Sequence, residues 1–372
     1  MMHLYFDNIE NNHLSTTTAV LTTRYATQII TELPSGVIAD VYLGRRMTLI
    51  LATACRFVAF ATISLESVAR LETLILSAIF SGAANAMVSG TKDALLYESL
   101  QKMSLESEFI HYVSTASLMW PVGSALSGVL GSAIVSYTGD VRDTFIVSMM
   151  PLTLALIASF FISETSQQFI NQKKKKKKRQ MSILSTSIHL LKSRKLSLLV
   201  VFVMGNFAFY ETILQFRGVF LEHNGVNETD IGIWDSARFV LSSLGTLLAP
   251  RLVSSGRISG RVTVLACVCT ACISIVLASS YTQQHTTTFF LLAAFAWGVQ
   301  WPLEKTLIND AVPSSSRATA ISILSLLKKA GASVVIALVS ETVDRTSNIN
   351  LAFSMLGSIA VVVNAIPLLL IA

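Results

Sequence analysis

Between residues 35 and 46 the chain places an acid, two arginines and two glycines in a short polar gap between apolar segments. These residues are Gly36, Asp40, Gly44, Arg45 and Arg46. A carboxylate in such a gap can interact with the positive end of a helix dipole, and arginines can pair with carboxylates or lipid phosphates. The glycines allow a sharp turn and close packing. The pattern predicts a charged turn between two helices.

A second set of charged residues lies inside apolar stretches, where charge is costly and usually functional. The set is Arg24, Glu211, Glu304, Lys328 and Lys329. Glu211 and Glu304 are candidates for proton transfer or for substrate contact. A structural ion pair with one of the three cations is the alternative for either carboxylate, and both interpretations stay open.

Polar and aromatic side chains accompany these charges: Asn206, Tyr210, Trp297, Gln300 and Trp301. The first two are four residues apart, so one helical face can offer both to a substrate as hydrogen-bonding groups. The last three share a helical face with Glu304. The tryptophans can stack on an aromatic substrate, or they can be ordinary packing or membrane-interface residues. Asp235 and Arg238, three residues apart, can neutralise each other.

The elements that carry these residues are long apolar segments. The chain has 372 residues, of which 52% are hydrophobic and 13% charged, about half the charged fraction of a soluble domain. Windows of about 20 mostly apolar residues recur eleven times: 16–38, 47–66, 71–97, 110–137, 142–163, 196–221, 230–252, 261–281, 286–310, 315–343 and 348–371. The sequence therefore predicts an all-α polytopic membrane protein with about eleven transmembrane helices.

The distribution of positive charge predicts the orientation of these helices. Seventeen lysines and arginines fall in loops on the side of the 35–46 gap, against Arg70, Arg142 and Arg345 on the other. The richer side is expected to be cytoplasmic. Its longest loop, 164–195, contains the run KKKKKKR and separates an N-terminal bundle (1–163) from a C-terminal bundle (196–372). The run can contact anionic lipid headgroups or serve as a solvated linker.

Three stretches give the chain a family resemblance. Residues 36–46 read G-x-x-x-D-x-x-x-G-R-R. Apart from one additional residue between the aspartate and the second glycine, they resemble G-x-x-x-D-x-x-G-R-[RK], the loop motif between the second and third helices of the major facilitator superfamily. The stretches SGTKDALLYESL (89–100) and WPLEKTLINDAVPSSSRATAISILSL (301–326) resemble the end of helix 4 and the helix 10 to helix 11 passage of bacterial drug-exporter-like members. The resemblance implies two six-helix bundles. A single span precedes the loop motif here, so most of helix 1 is expected to be missing.

The resemblance also implies a role for the charged turn. Gly36, Asp40, Gly44, Arg45, Arg46 and Asp93 would form a conformational latch. In it, Asp40 would face the N-terminus of the helix that begins near Arg317, and the arginines would pair with Asp40 or Asp93. The alternative is that the arginines are only topology anchors.

The expected function is secondary active transport by alternating access, with proton-coupled export of small molecules as the leading hypothesis. The alternatives are a proton-linked uptake permease and a truncated membrane protein that transports nothing. No phosphate-binding loop of the G-x-x-x-x-G-K-[ST] type occurs, and the histidines form no catalytic constellation, so we expect neither an enzyme nor a cofactor or metal. The expected partners are a small-molecule substrate, protons and membrane lipids, without nucleic acid. We expect a monomer, multi-pass in the cytoplasmic (inner) membrane.

Overall fold

A computed structural model describes residues 14–37, 43–65, 70–89, 91–105, 109–162, 194–254, 259–281, 284–311 and 317–370. All regular secondary structure in the described part of the chain is helical. Its helices are α1 (Leu14–Val37), α2 (Gly44–Leu65), α3 (Leu71–Val88), α4 (Thr91–Lys102), α5 (Phe109–Thr138), α6 (Arg142–Phe160), α7 (Arg194–His223), α8 (Glu228–Ser254), α9 (Gly260–Ser280), α10 (Gln284–Ala311), α11 (Arg317–Thr346) and α12 (Ile349–Leu370).

All eleven predicted spans coincide with helices, and the prediction of an all-α fold is confirmed. One predicted span, 71–97, is occupied by two helices, α3 and α4. The break follows from the backbone at Ser89, which leaves helical geometry with ψ 119° after its N–H has bonded the Asn85 carbonyl.

Eight of the described helices contain a segment long and apolar enough to cross a membrane: α2, α3, α5, α6, α7, α9, α11 and α12. Large apolar side chains such as Leu154 and Leu338 are exposed on these helices, as a lipid environment requires. Helices α1, α8 and α10 have the length but carry more polar residues. They contain Arg24, Asp235 and Glu304, whereas Glu211 and Lys328 lie on α7 and α11, which belong to the apolar group.

The chain divides into two compact units. The first unit comprises residues 1–120 and 133–176, and the second comprises residues 121–132 and 177–372. The predicted linker, 164–195, lies almost wholly outside the described residues, so the predicted division into two bundles at this loop stays a prediction.

In the first unit, α3 packs between α1 and α2, and α2 also packs against α6. A small core of Val20, Ile63, Leu74, Ala78 and Phe145 fills the space between these helices. The close approach of α1 and α3 depends on Gly82, because a methyl group there would overlap the Arg24 carbonyl oxygen.

Two arginines tie α2 and α6 together at both ends of this helix pair. Arg46, near the start of α2, donates to the Phe160 carbonyl oxygen at the end of α6 (2.7 Å). Arg142, at the start of α6, donates to the Ser64 carbonyl oxygen at the end of α2 (2.9 Å). Each guanidinium thereby satisfies a terminal carbonyl and lies at the negative end of a helix dipole.

In the second unit, neighbouring helices follow the order α11, α7, α12, α9, α10 and α8. Helix α7 also contacts α8 and α10, so the six helices enclose a common core. Phe220 of α7 stacks on Phe353 of α12 with ring centroids 4.5 Å apart, and both are fully buried.

A pair of asparagines joins the end of α7 to the start of α12. Asn224 donates to the Asn350 side-chain oxygen (2.8 Å), and Asn350 donates to the Asn224 side-chain oxygen (3.0 Å). Asn224 also donates to the Phe220 carbonyl oxygen (2.7 Å) and so satisfies the end of α7. We call this reciprocal pair the amide clasp.

Candidate functional site

An ion pair inside the second unit is the centre of the candidate site. Glu304 of α10 is only 3% exposed. Its Oε1 accepts a hydrogen bond from the Lys328 ammonium of α11 (2.9 Å), and its Oε2 accepts one from the Asn206 amide of α7 (2.7 Å). Both carboxylate oxygens therefore have partners, and one side chain connects three helices.

The position of Glu304 follows from an unusual contact between α10 and α8. Pro302 has no N–H, so it leaves the Gly298 carbonyl without its helical partner. The Thr246 hydroxyl of α8 donates to this carbonyl instead (3.0 Å). The two backbones approach closely at this point, since a methyl group at residue 298 would overlap the Ser242 carbonyl. Glu304 follows this contact by less than two turns.

The aromatic residues divide into a buried and an exposed group. Trp297 packs edge-on against Tyr210, with centroids 4.4 Å apart, and also contacts Phe209. Trp301 is 45% exposed, and its ring lies 5.8 Å from the Lys328 ammonium and 5.1 Å from that of Lys305. Trp297 therefore lies in the core while Trp301 is accessible, and the role predicted for this face in substrate contact stays a prediction.

Gln300 lies one turn before Glu304 and is 1% exposed. Within the described part of the chain, neither its amide nitrogen nor its amide oxygen has a hydrogen-bond partner, and the same is true of the Trp297 indole nitrogen. Buried polar groups of this kind are rare in folded proteins and call for a functional explanation. They can donate to and accept from polar atoms of a substrate.

A second buried cluster joins α7 and α8. Asp235 accepts two hydrogen bonds from Arg217 (2.9 and 3.0 Å) and one from Arg238 (2.8 Å). The guanidinium of Arg238, which is 2% exposed, also interacts with the Tyr210 hydroxyl. The predicted Asp235–Arg238 pair is confirmed. Arg217 was missed, although its charge inside a predicted span was the signal that identified the other members.

The first unit holds a further cluster that the sequence interpretation missed in part. Arg24 of α1 donates to the Tyr25 hydroxyl (3.3 Å), and its guanidinium lies 5.1 Å from the centre of that ring. Arg56 of α2 donates to the side-chain oxygen of Asn85 of α3. Arg24 is close enough for its charge to act on Arg56. Arg56, too, lies inside a predicted span.

The remaining candidates are placed as follows. Gln215, one turn along α7, donates to Glu211, which makes further contacts of its own. Lys329 is buried next to Lys328. The structure thus brings Asn206, Glu304 and Lys328 into one site, whereas the roles predicted for Glu211 and Lys329 stay predictions.

The latch residues are only partly within the described chain. Gly44 begins α2 with φ +79°, a left-handed conformation that favours glycine. Helix α11 begins at Arg317, as predicted. Gly36 ends up inside α1 and Asp93 inside α4, but their surroundings, and all of Asp40, lie outside the described residues. The pairing of the arginines with Asp40 or Asp93 therefore stays a prediction.

Comparison with known proteins assigns the family. A sequence model of the Major Facilitator Superfamily matches residues 8–220 and 216–372, nearly the whole chain. No curated protein matches the sequence significantly.

Solved structures similar to the chain include the nucleoside transporter NupG (13% identity, TM-score 0.79, 100% of this chain and 93% of that one). They also include a D-xylose-proton symporter (14% identity, TM-score 0.76, 100% of this chain and 91% of that one). A POT family transporter in complex with 5-aminolevulinic acid is similar as well (12% identity, TM-score 0.71, 95% of this chain and 87% of that one). At these identities the likeness shows the fold. Together with the family match and the many apolar helices, it establishes that the chain is a multi-pass membrane protein that belongs to the Major Facilitator Superfamily.

Proposed function

We propose that this protein is a proton-coupled secondary active transporter of small molecules and that Glu304 is the residue that carries the proton. The observation that supports the proposal is the Glu304–Lys328 pair, a buried carboxylate whose charge is balanced by one cation on α11. A carboxylate inside a membrane span is expensive and usually marks an ion or substrate pathway.

Protonation of Glu304 would change the forces between α10 and α11. The ionised carboxylate attracts the Lys328 ammonium and accepts from Asn206. A neutral carboxyl group no longer attracts the Lys328 ammonium. The ammonium then requires another anion or water molecules to stabilise its charge. The two protonation states therefore favour different relative positions of α10 and α11, and a carrier that alternates between two conformations requires such a difference.

Substrate contact is proposed for the groups next to this pair. Gln300 and the Trp297 indole offer unused hydrogen-bonding atoms on the same face of α10 as Glu304. Trp301 offers an accessible ring beside the Lys328 ammonium. A polar substrate with a planar portion suits these residues, because hydrogen bonds orient it and stacking adds contact area.

The direction of transport has two candidates. Export was the expectation from sequence and stays a prediction. Uptake by symport is the second candidate, favoured by the similarity to the D-xylose-proton symporter. Proteoliposomes separate the two: with protons flowing inward, a symporter accumulates substrate inside, whereas an antiporter expels it.

The first prediction concerns Glu304→Gln, which removes the charge but keeps the shape and most hydrogen bonding. Once an uptake and susceptibility screen has supplied a substrate, we expect this variant to exchange substrate across the membrane but not to accumulate it against a gradient. In the wild type, lowering the pH should change tryptophan fluorescence, because Trp301 lies beside the Lys328 ammonium, and this response should be lost in the variant.

Two further variants separate proton transfer from a purely structural role. Glu341→Gln breaks the exposed Arg345–Glu341 pair on α11 (2.7 Å) and should leave gradient-driven transport unchanged. The double variant Glu304→Gln/Lys328→Gln removes the unpaired cation that the single variant leaves. If the double variant regains both folding and gradient-driven accumulation, the pair is structural and the proposal is wrong.

A further inference from the structure

The most unusual charge in the first unit belongs to Arg56. It follows the first residue of α2, Gly44, by twelve positions, which places it about 18 Å along the helix, far from either end. Its side chain donates to the neutral side-chain oxygen of Asn85. Among the residues that the structure describes, Arg56 has no acidic partner.

The surroundings of Arg56 increase the need for a negative charge. Arg24 adds a second guanidinium nearby, so the electrostatic potential at Arg56 becomes more positive. Arg24 makes contacts of its own, so the charge in need of a partner is that of Arg56. An amide oxygen satisfies one of the five guanidinium N–H groups but neutralises no charge. A cation in a membrane span without a counter-charge is strongly disfavoured.

The chemistry of the remaining donors defines what they would bind. A guanidinium is planar and presents paired N–H groups that match two oxygens of a carboxylate or a phosphate. Because Arg56 lies in the middle of its helix, a lipid headgroup at the membrane surface is too far away to serve. A small soluble anion that enters the transporter fits the requirement.

We infer that the transported substrate carries an anionic group, a carboxylate or a phosphate, and that Arg56 binds this group while Asn85 positions the guanidinium. The inference rests on the proposed transport function and specifies its substrate class. Arg56 is a substrate-binding residue in this assignment, and Asn85 is a positioning residue.

Matched pairs of compounds test the charge requirement without any mutation. Thermal unfolding of the detergent-solubilised full chain is followed with nicotinate and nicotinamide, succinate and succinamide, benzoate and benzamide, glycerol 3-phosphate and glycerol, and uridine monophosphate and uridine. Sodium chloride equalises the ionic strength. We expect at least one acid to raise the unfolding temperature in a concentration-dependent way while its neutral partner does not. Stabilisation by neutral partners, or by no acid at all, overturns the inference.

Variants at residue 56 test the assignment of the site. Arg56→Gln can still donate to Asn85 and so preserves the α2–α3 contact, but it removes the charge. We expect the affinity for the stabilising acid to fall at least tenfold. Arg56→Lys keeps the charge but lacks the paired donors, so its affinity for the acid should lie between those of the wild type and Arg56→Gln. This variant keeps the test valid if Arg56→Gln folds poorly. Arg70→Gln, the same change at an exposed position of the same unit, should bind like the wild type. Wild-type affinity in Arg56→Gln overturns the assignment.

Failure of this inference is distinguishable from failure of the proposed function. Proton-driven accumulation of a neutral compound would support the transport proposal and overturn the anionic substrate class. Binding of an acid that depends on Arg56, without proton-driven accumulation, would support the anionic substrate class and overturn the transport proposal.

Discussion

At the scale of single residues, Gly44 has the most restrictive backbone among the described residues of the latch motif. Its φ of +79° is costly for a residue with a Cβ, and it immediately precedes Arg45 and Arg46. The same conformation starts α2 in the direction that lets Arg46 reach the Phe160 carbonyl of α6. One glycine thus influences where a common type of contact, a cation at a helix C-terminus, can form.

Gly44→Ala is therefore expected to destabilise the protein by about 1 kcal/mol. Gly44→Asn should cost less, because asparagine tolerates the left-handed region better than alanine does. The midpoints of thermal unfolding in detergent measure both changes. Equal midpoints for the two variants would show that the conformation of residue 44 has no influence on stability.

At the scale of helices, the contact between α8 and α10 supports the candidate site. Gly298 permits backbone contact, and Thr246 replaces the hydrogen bond that Pro302 removes. In a membrane this replacement is required, since an unpaired carbonyl in hydrocarbon is costly. The geometry of Glu304 depends on this helix pair as much as on its own partners.

Gly298→Ala should disrupt the site from a distance, because the added methyl group has no space against the α8 backbone. We expect a loss of about 1–3 kcal/mol of stability, typical of an overpacked core, together with lost transport. Gly123→Ala is the matched control on α5, where nothing lies within 4 Å of the added atom. Wild-type unfolding and transport in Gly298→Ala would mean that α8 and α10 adjust freely.

The helices themselves could be predicted from sequence, but the partners of the charged residues could not. Runs of about 20 apolar residues reveal spans without further information, and only the break at Ser89 was missed. The sequence offered three cations for Glu304. One residue turns a helix by about 100°, so the choice of Lys328 over Lys329 depends on how α11 packs against α7. Arg56 and Arg217 could have been found, because their charges interrupt apolar runs just as that of Arg24 does.

At the scale of the whole molecule, the loop charges predict that the C-terminus and the loop 164–195 face the cytoplasm. The test needs a chain whose own cysteines have been replaced: Cys55, Cys267, Cys269 and Cys272. A cysteine introduced at Ser166 should react with a membrane-impermeant reagent only after the cells are permeabilised. One introduced at Asn227, an exposed position between α7 and α8, should react in intact cells. The opposite result at both positions would invert the topology.

The amide clasp between Asn224 and Asn350 has a consequence for the conditions in which the protein can work. On the predicted topology it lies at the outer surface, where the acidity and salt content of the medium vary. Neither amide titrates, and neutral hydrogen bonds are little affected by ionic screening. The junction of α7 and α12 therefore keeps its strength from acid to alkaline surroundings, whereas an acid–base pair in its place would loosen in acid. On the proposed mechanism the proton-sensitive pair lies inside the protein, and the amide clasp adds no pH dependence of its own to the junction of α7 and α12.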